Sequence, residues 1–254
     1  MHLLHRSRRI GLASCFLVVG IAPIALAQHA GDVVVGVHSP TQQLATFGYE
    51  PGRDYVSLLP GSVILPGWAD NNPGFDHQVN PTGDLVPMQP GASIVLEVLA
   101  IDPAFRIIGP PPSFFIADAG GETLSLGGYL LHVHLTWHIN LNDPAYDPDQ
   151  CVWHMTARLI DVGATGYIAS EPFTFAFTSI PRRAADGDFD GDGLATAADA
   201  PAFAECMAGP ALRPSPDDPE VTTCEVECVN AFDFDGDLDV DLTDQAEFAR
   251  RVSG

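Results

Sequence analysis

Aspartates alternate with other residues in two stretches near the C-terminus, residues 188–199 and 233–244. The first stretch reads Asp-Phe-Asp-Gly-Asp-Gly-Leu-Ala-Thr-Ala-Ala-Asp. A calcium ion takes about 6–8 oxygen ligands, and a twelve-residue loop supplies them from alternate positions around a sharp turn. The spacing therefore predicts two calcium sites. In the first, the ligands in order are Asp188, Asp190, Asp192, the carbonyl of Leu194, Thr196 and Asp199.

The second stretch predicts a weaker calcium site. Its turn position is Leu238, where the first stretch has Gly193. A non-glycine residue held in the left-handed conformation costs about 1–3 kcal/mol, which corresponds to roughly a tenfold or larger loss of affinity. We therefore expect the first site to bind calcium more tightly, although the second is richer in carboxylates. The ligands expected there are Asp233, Asp235, Asp237, Asp239, Asp241 and Asp244.

The elements that must position these aspartates are short helices. A helix is predicted over 197–207, and Gly209 followed by proline ends it. A linker rich in proline and aspartate is predicted over 211–228, and a second helix over 243–252. The short segment between the two domains leaves no room for a helix before Asp188. The sequence thus predicts two loop-helix (F-hand) repeats and not the helix-loop-helix of an ordinary EF-hand.

A duplicated loop-helix with aspartate, not glutamate, at the twelfth position resembles a type I dockerin. The resemblance covers about 70 residues and implies two calcium ions and docking to a cohesin-like partner on a scaffold or cell surface. It also implies an association with polysaccharide-degrading domains. Cellulosomal dockerins carry a Ser/Thr pair where this chain has Ala197-Ala198 and Leu242-Thr243, which points away from a clostridial cohesin. The matching residues are Asp188, Asp190, Asp192, Gly193, Thr196 and Asp199, with Asp233, Asp235, Asp237, Asp239, Asp241 and Asp244.

The chain before this module has the pattern of a mainly β domain. Runs of β-branched and aromatic residues are separated by proline and glycine, and no segment has a sustained 3.6-residue apolar period. This pattern predicts an antiparallel β-sandwich or jelly roll over residues 28–181, followed by a dockerin-like domain over 182–254. The strand candidates are 33–37, 63–65, 93–101, 113–116, 129–139, 152–160 and 173–177.

The first 27 residues resemble a secretory signal. Arginines precede an apolar stretch, and Ala25-Leu26-Ala27 forms a small-residue cleavage site. No later stretch is long and apolar enough to span a membrane, so a secreted or cell-surface protein is predicted. Export permits disulfides. Pairing Cys206 with Cys224 or Cys228 would close a loop of roughly 20 residues, worth about 3 kcal/mol, and the partner of Cys151 stays open.

Charge excludes nucleic acid and anionic membranes as partners. The net charge is −22, the chain has no lysine, and residues 184–254 hold 18 of its 33 acidic residues. Such a negative field repels polyanions. We attribute the acidity to calcium ligation and solubility.

A second candidate metal site follows from histidines in the β domain. Residues 131–139 alternate apolar and polar, and residues two apart share a face of a strand. Val133, Leu135, Trp137 and Ile139 are therefore expected in the core, and His132, His134 and His138 on the other face.

The following strand is expected to add a ligand to this histidine face. It would bury Trp153, Met155, Ala157 and Leu159 and bring His154 to the same side. Such imidazoles can bind zinc or copper, with His38, His77 or Asp76 completing the site. The alternative is a solvated sheet face that uses histidine.

Enzyme motifs are absent from the sequence. It contains no Gly-x-Ser-x-Gly, His-Glu-x-x-His or phosphate-binding loop, so a non-catalytic function is favoured. Paired carboxylates for glycoside hydrolysis stay open, because spatial separation is not readable from sequence. A carbohydrate-binding domain would need an exposed aromatic platform, and Trp68 in a Pro/Gly-rich loop is the candidate.

These observations predict an exported attachment protein that docks a β-sandwich to a surface or scaffold partner through its calcium module. Two alternatives are a zinc- or copper-binding β domain and a component of extracellular polysaccharide degradation.

Overall fold

The computed structural model describes residues 31–50, 53–112, 114–216, 222 and 224–253, so the predicted signal lies outside the described residues. Within these ranges the chain forms fifteen strands and three helices. No helix among them is both long and apolar enough to cross a membrane. The strands are β1 (Val33–His38), β2 (Gln43–Phe47), β3 (Val56–Ser57), β4 (Leu59–Pro60), β5 (Gly67–Asp70), β6 (Phe75–His77), β7 (Leu85–Val86), β8 (Ser93–Ile101), β9 (Phe105–Ile108), β10 (Ile116–Ala117), β11 (Thr123–Gly128), β12 (His132–Val133), β13 (Thr136–Asn140), β14 (Val152–Asp161) and β15 (Phe173–Thr178).

These strands form three sheets of five strands each. The first sheet has the order β12-β6-β1-β2, with β7 also paired to β1. The second has the order β10-β9-β13-β5-β4, and the third β11-β8-β14-β15-β3. Most pairs are antiparallel, but β1 with β6 and β15 with β3 are parallel. The chain is thus mainly β, consistent with the predicted sandwich-like domain.

The core lies where the apolar faces of the three sheets meet. In the third sheet, β14 buries Trp153, Met155, Ala157 and Leu159, as the alternation predicted. The Trp137 ring of the second sheet lies 5.0 Å from the Phe177 ring of the third and 6.3 Å from the Phe75 ring of the first, measured between centroids. Aromatic pairs at these separations add to the hydrophobic stabilisation of the core.

Three of the predicted strands differ in the structure. Residues 63–65 form no strand, and Val63 and Ile64 are 100% and 88% exposed. Residues 129–139 do not make one continuous strand, because β12 belongs to the first sheet and β13 to the second. The chain changes sheet at residues 134 and 135, which sequence alternation alone does not reveal. The strand predicted over 113–116 is reduced to β10, and residue 113 lies outside the described ranges.

The C-terminal part contains α1 (Ala200–Cys206), α2 (Glu225–Phe232) and α3 (Leu242–Val252). The first and third correspond to the predicted helices, with the first starting later, and Phe248 is buried as predicted. The second was missed: a linker was predicted over 211–228, whereas α2 begins at Glu225 and directly precedes the second loop, so that loop has a helix on both sides. Its residues from Val226 to Phe232 are nearly all buried. The segment therefore lacks the alternation of an apolar and a polar face by which a surface helix is recognised in sequence.

The module and the β domain share a hydrophobic cluster. We call it the junction cluster; its buried members are Tyr55, Ala176, Cys224, Val226 and Val229. A disulfide between Cys151 and Cys224 joins the two parts, and a second between Cys206 and Cys228 joins α1 to α2. The second pairing is one of the two that the sequence left open.

Candidate functional site

The first acidic loop, residues 188–199, brings three carboxylates together. Asp188, Asp190 and Asp192 each offer an oxygen atom, and these oxygens all lie within 4.8 Å of one another. Backbone N–H groups fix their direction: Gly193 donates to Asp188 Oδ2 at 2.8 Å, and Asp192 donates to Asp190 Oδ1 at 3.1 Å. Gly193 has a φ of +94°, the left-handed turn that the sequence predicted for this position. The loop is thereby curled around a cluster of hard oxygen ligands.

The closing residue of this loop is held differently. Asp199 is 1% exposed, and its Oδ1 accepts from Phe189 N at 2.8 Å while its Oδ2 accepts from Thr196 N at 2.8 Å. Burial acts to raise the pKa of Asp199, but these backbone donors outweigh it and hold the pKa below its ordinary value. The carboxylate therefore stays ionised and braces the loop. Asp199 lies outside the group formed by Asp188, Asp190 and Asp192. Leu194, whose backbone carbonyl was predicted as a ligand, has an exposed side chain.

The second acidic loop, residues 233–244, is built around a shared carboxylate. Asp244 groups with Asp233 and Asp235 on one side and with Asp239 and Asp241 on the other, in each case with oxygens within 4.8 Å. Asp244 is 1% exposed and accepts from Phe234 N at 2.7 Å and Asp241 N at 2.8 Å. Asp237, predicted as a further ligand, belongs to neither group. The remaining predicted carboxylates of this loop do converge.

Leu238 has the unfavourable backbone conformation that its position required. Its φ is +75°, and its N–H donates to Asp233 Oδ2 at 3.1 Å. Its side chain packs against the junction cluster. Burial of an apolar side chain there offsets the backbone strain, which explains how leucine is accommodated at a glycine position.

Arg182 was not predicted as part of the site. Its guanidinium donates to Asp233 Oδ2 at 2.9 Å, and the Asp233 side chain is only 2% exposed. A cation beside Asp233 would compete with a metal ion for that carboxylate. The sequence did contain one indication of this role. Arg182 is one of few basic residues in a chain without lysine, and it stands at the start of the acidic domain.

The two closing carboxylates have opposite pKa shifts. Burial first, and then the negative charges of Asp235 and Asp233, raise the pKa of Asp244 from 3.8 to about 6 in the metal-free chain. The pKa of Asp199 is lowered. A metal ion would bind the ionised carboxylate, so its uptake by the second loop would require release of a proton at mildly acidic pH.

We therefore expect calcium affinity at the second loop to fall as pH falls from 7 to 5, while affinity at the first loop changes little. Below the pKa of Asp244 the ionised fraction drops about tenfold per pH unit, and the affinity should follow it. Calcium titration of Asp188→Asn, which leaves the second loop, and of Asp233→Asn, which leaves the first, would measure both. Equal pH dependence in the two variants would contradict the assignment.

The structure brings together only two of the four predicted histidine ligands. His132 and His134 lie together, with ring centroids 5.2 Å apart. His138 is only 3% exposed, and its Nε2 donates to the carbonyl of Pro66 at 3.1 Å. His154 lies on the third sheet, where its Nδ1 is 3.4 Å from Asp102 Oδ2. The predicted face of three histidines joined by His154 is therefore wrong, because the chain changes sheet after His134 and β14 pairs with β8 and β15.

The other candidate ligands and the candidate carbohydrate platform have local partners. His77 Nδ1 is 3.1 Å from Asp76 Oδ1, and His38 Nε2 is 3.8 Å from Asp84 Oδ2. Trp68 is half-buried in β5 and packs against the core. Its ring stacks on Tyr146 with centroids 6.2 Å apart, so one face of the expected platform is covered by protein.

Comparisons with protein-family models, with curated proteins and with solved structures found no match for this chain.

Proposed function

We propose that residues 182–254 form a calcium-binding module that attaches the exported β domain to a partner protein. The observation that carries this proposal is the convergence of carboxylate oxygens within 4.8 Å in both acidic loops. Like charges this close repel one another, and a divalent cation with hard-ligand preference relieves the repulsion. Calcium suits the loops better than magnesium, because each loop offers several flexible carboxylates.

The surface that supports attachment lies between α1 and α3. A groove of about 510 Å³ runs between these helices, and its lining is mainly apolar, including Phe203, Phe248 and Val252. Met207 at its edge is 41% exposed. An apolar groove between two helices suits a protein partner. Helix α1 begins directly after the first acidic loop and α3 begins within the last residues of the second, so calcium in the loops would set the spacing of the groove walls.

The partner class follows from this surface and from the dockerin resemblance. We propose a cohesin-like scaffold or cell-surface protein, different from the clostridial type because Ala197, Ala198 and Leu242 replace polar contact residues. The two disulfides support an oxidising, extracellular location.

Calcium titration by calorimetry tests the first half of the proposal. The wild-type chain is expected to bind about two calcium ions with unequal affinity. Asp188→Asn should remove the tighter event and Asp233→Asn the weaker one. Asp149→Asn, an exposed acid of the β domain, is the matched control and should change neither. No calcium binding, or loss of the weaker event in Asp188→Asn, would overturn the assignment.

Binding to a panel of immobilised cohesin domains tests the second half. Retention is expected with calcium, and it should be lost in EGTA and in Met207→Asp, which places a charge in the apolar groove. If the panel retains nothing while calcium binding is normal, the cohesin-like partner is wrong and the calcium assignment stands.

A further inference from the structure

A second cluster of ligand-type side chains lies at one end of the first sheet and shares no residue with either acidic loop. Asp32 immediately precedes β1, His132 begins β12, and His134 follows it. One atom from each of these three side chains lies within 4.8 Å of the others. The parallel pairing of β1 with β6 and the antiparallel pairing of β6 with β12 bring together residues 100 positions apart in the sequence.

The carboxylate of Asp32 is the unusual member. Its side chain is only 3% exposed. Oδ1 accepts from Gly74 N at 2.8 Å, whereas Oδ2 is buried with no hydrogen-bond partner among the described residues. A buried carboxylate is costly unless a cation or donors compensate for it. A cation on the Oδ2 side would compensate for this burial.

His134 presents a ring nitrogen to that oxygen. Its Nδ1 lies 2.9 Å from the carbonyl of Asn71, and a carbonyl can only accept, so Nδ1 carries the proton. Nε2 is then the ring atom available to a metal, and it lies 3.7 Å from Asp32 Oδ2. That separation is too long for a hydrogen bond. Two ligand atoms on tetrahedral zinc, each about 2.1 Å from the metal, lie about 3.4 Å apart.

The surroundings fix the His134 ring in this position. A Cβ atom at Gly74 would lie 2.7 Å from both Nδ1 and Cε1 of His134, so the ring occupies space that only glycine leaves open. Donation of Nδ1–H to a backbone carbonyl is the outer-shell interaction typical of metal-binding histidine. The ring is thus oriented by its neighbours before any metal arrives.

His132 adds the third ligand and an opening to solvent. It is directly opposite Asp76 in the β6–β12 pair, and its Nδ1 is 3.8 Å from Asp76 Oδ1. The side chain of His132 is 40% exposed, whereas that of Asp76 is 3% exposed. A second buried carboxylate increases the negative charge near the site, and the exposed side leaves room for water as a fourth ligand.

We propose that Asp32, His132 and His134 bind a zinc-type transition-metal ion with an open fourth position. Two imidazoles and one carboxylate are ligands that zinc prefers, and three protein ligands with one solvent position give the coordination seen at reactive zinc sites. Copper(II) would compete at the same ligands. The site is independent of the calcium loops and stands if the proposed attachment function fails.

Zinc titration against a chromophoric chelator tests this site, with calcium kept saturating so that the acidic loops do not take up zinc. The wild-type chain should bind about one zinc per chain, and cobalt should give the visible spectrum of a tetrahedral site. His132→Ala, His134→Ala and the near-isosteric Asp32→Asn should each weaken zinc binding by more than about 100-fold, since even outer-shell changes cost roughly 10–100-fold. Gly74→Ala should weaken it about 10–100-fold by displacing the His134 ring.

Matched controls come from two partly exposed histidines that each lie beside a carboxylate but belong to none of the candidate metal groups among the described residues. His38 faces Asp84 and His154 faces Asp102, each without a second imidazole, so His38→Ala and His154→Ala should leave zinc binding unchanged. Circular dichroism on every variant separates loss of a ligand from loss of folding. Zinc binding that is absent in the wild type, unchanged in folded Asp32→Asn, or equally reduced by His154→Ala would overturn the proposal and leave an ordinary His134–Asp32 ion pair.

Discussion

Removal of calcium with excess EGTA is expected to abolish most of the helical circular-dichroism signal of the chain. The helices α1, α2 and α3 are 7, 8 and 11 residues long, and each is too short to persist without tertiary support. Their shared core is small: its large buried side chains are Phe203, Phe232 and Phe248, with Phe189 and Phe234 only partly buried against them. Without the cation, carboxylates crowded within 4.8 Å repel one another and oppose that small core.

The size of the calcium effect follows from linkage. A ligand present at 1,000 times its dissociation constant adds about 4 kcal/mol to the stability of the form that binds it. Calcium in both loops would therefore contribute a large fraction of the unfolding free energy, which is only a few kcal/mol for a domain of this size. Thermal unfolding followed at 222 nm, with and without calcium, measures the effect. Asp149→Asn serves again as the control, and an unchanged helical signal after chelation would contradict the prediction.

Local spacing determined how much of the geometry of the two acidic loops could be predicted. Asp188, Asp190 and Asp192 are two residues apart, so the turn at Gly193 is enough to bring them together whatever the rest of the chain does. The same reasoning placed Asp233 and Asp235. The contribution of Arg182 could not be predicted in this way, because it reaches Asp233 across 51 positions of the sequence.

The zinc-type cluster shows the opposite case. The alternation of residues 131–139 correctly placed Leu135, Trp137 and Ile139 in the core. It failed for His138, because alternation holds within one sheet and the chain changes sheet near residue 134. Asp32 was not considered as a ligand, since only the parallel pairing of β1 with β6 brings it to the histidines.

Helix α2 was missed for a reason of packing. A helix is recognised in sequence by one apolar and one polar face, but α2 contacts both the module core and the junction cluster. Cys228 and Phe232 face the first, and Val226 and Val229 face the second. With apolar residues on both sides, the segment has little periodicity to distinguish it from the linker before it.

Loss of the disulfide between Cys151 and Cys224 is expected to cost about 4 kcal/mol, because the bond closes a loop of 73 residues between the β domain and the module. It ends next to α2, whose Val226 and Val229 pack into the junction cluster. The bond therefore limits the separation of the two parts when the cluster opens. Without it, the junction depends on the small cluster and on hydrogen bonds such as that from Arg213 to the carbonyl of Asp54 at 2.6 Å.

The double variant Cys151→Ser/Cys224→Ser tests this in denaturant unfolding with calcium saturating. We expect a lower unfolding free energy and a β-domain transition that separates from the helical one, because the two parts no longer unfold together. Cys206→Ser/Cys228→Ser is the matched control; it opens a loop of 22 residues within the module and should cost about 3 kcal/mol without separating the β domain from its junction. A single coincident transition in the first variant, at wild-type stability, would show that the junction cluster alone holds the two parts together.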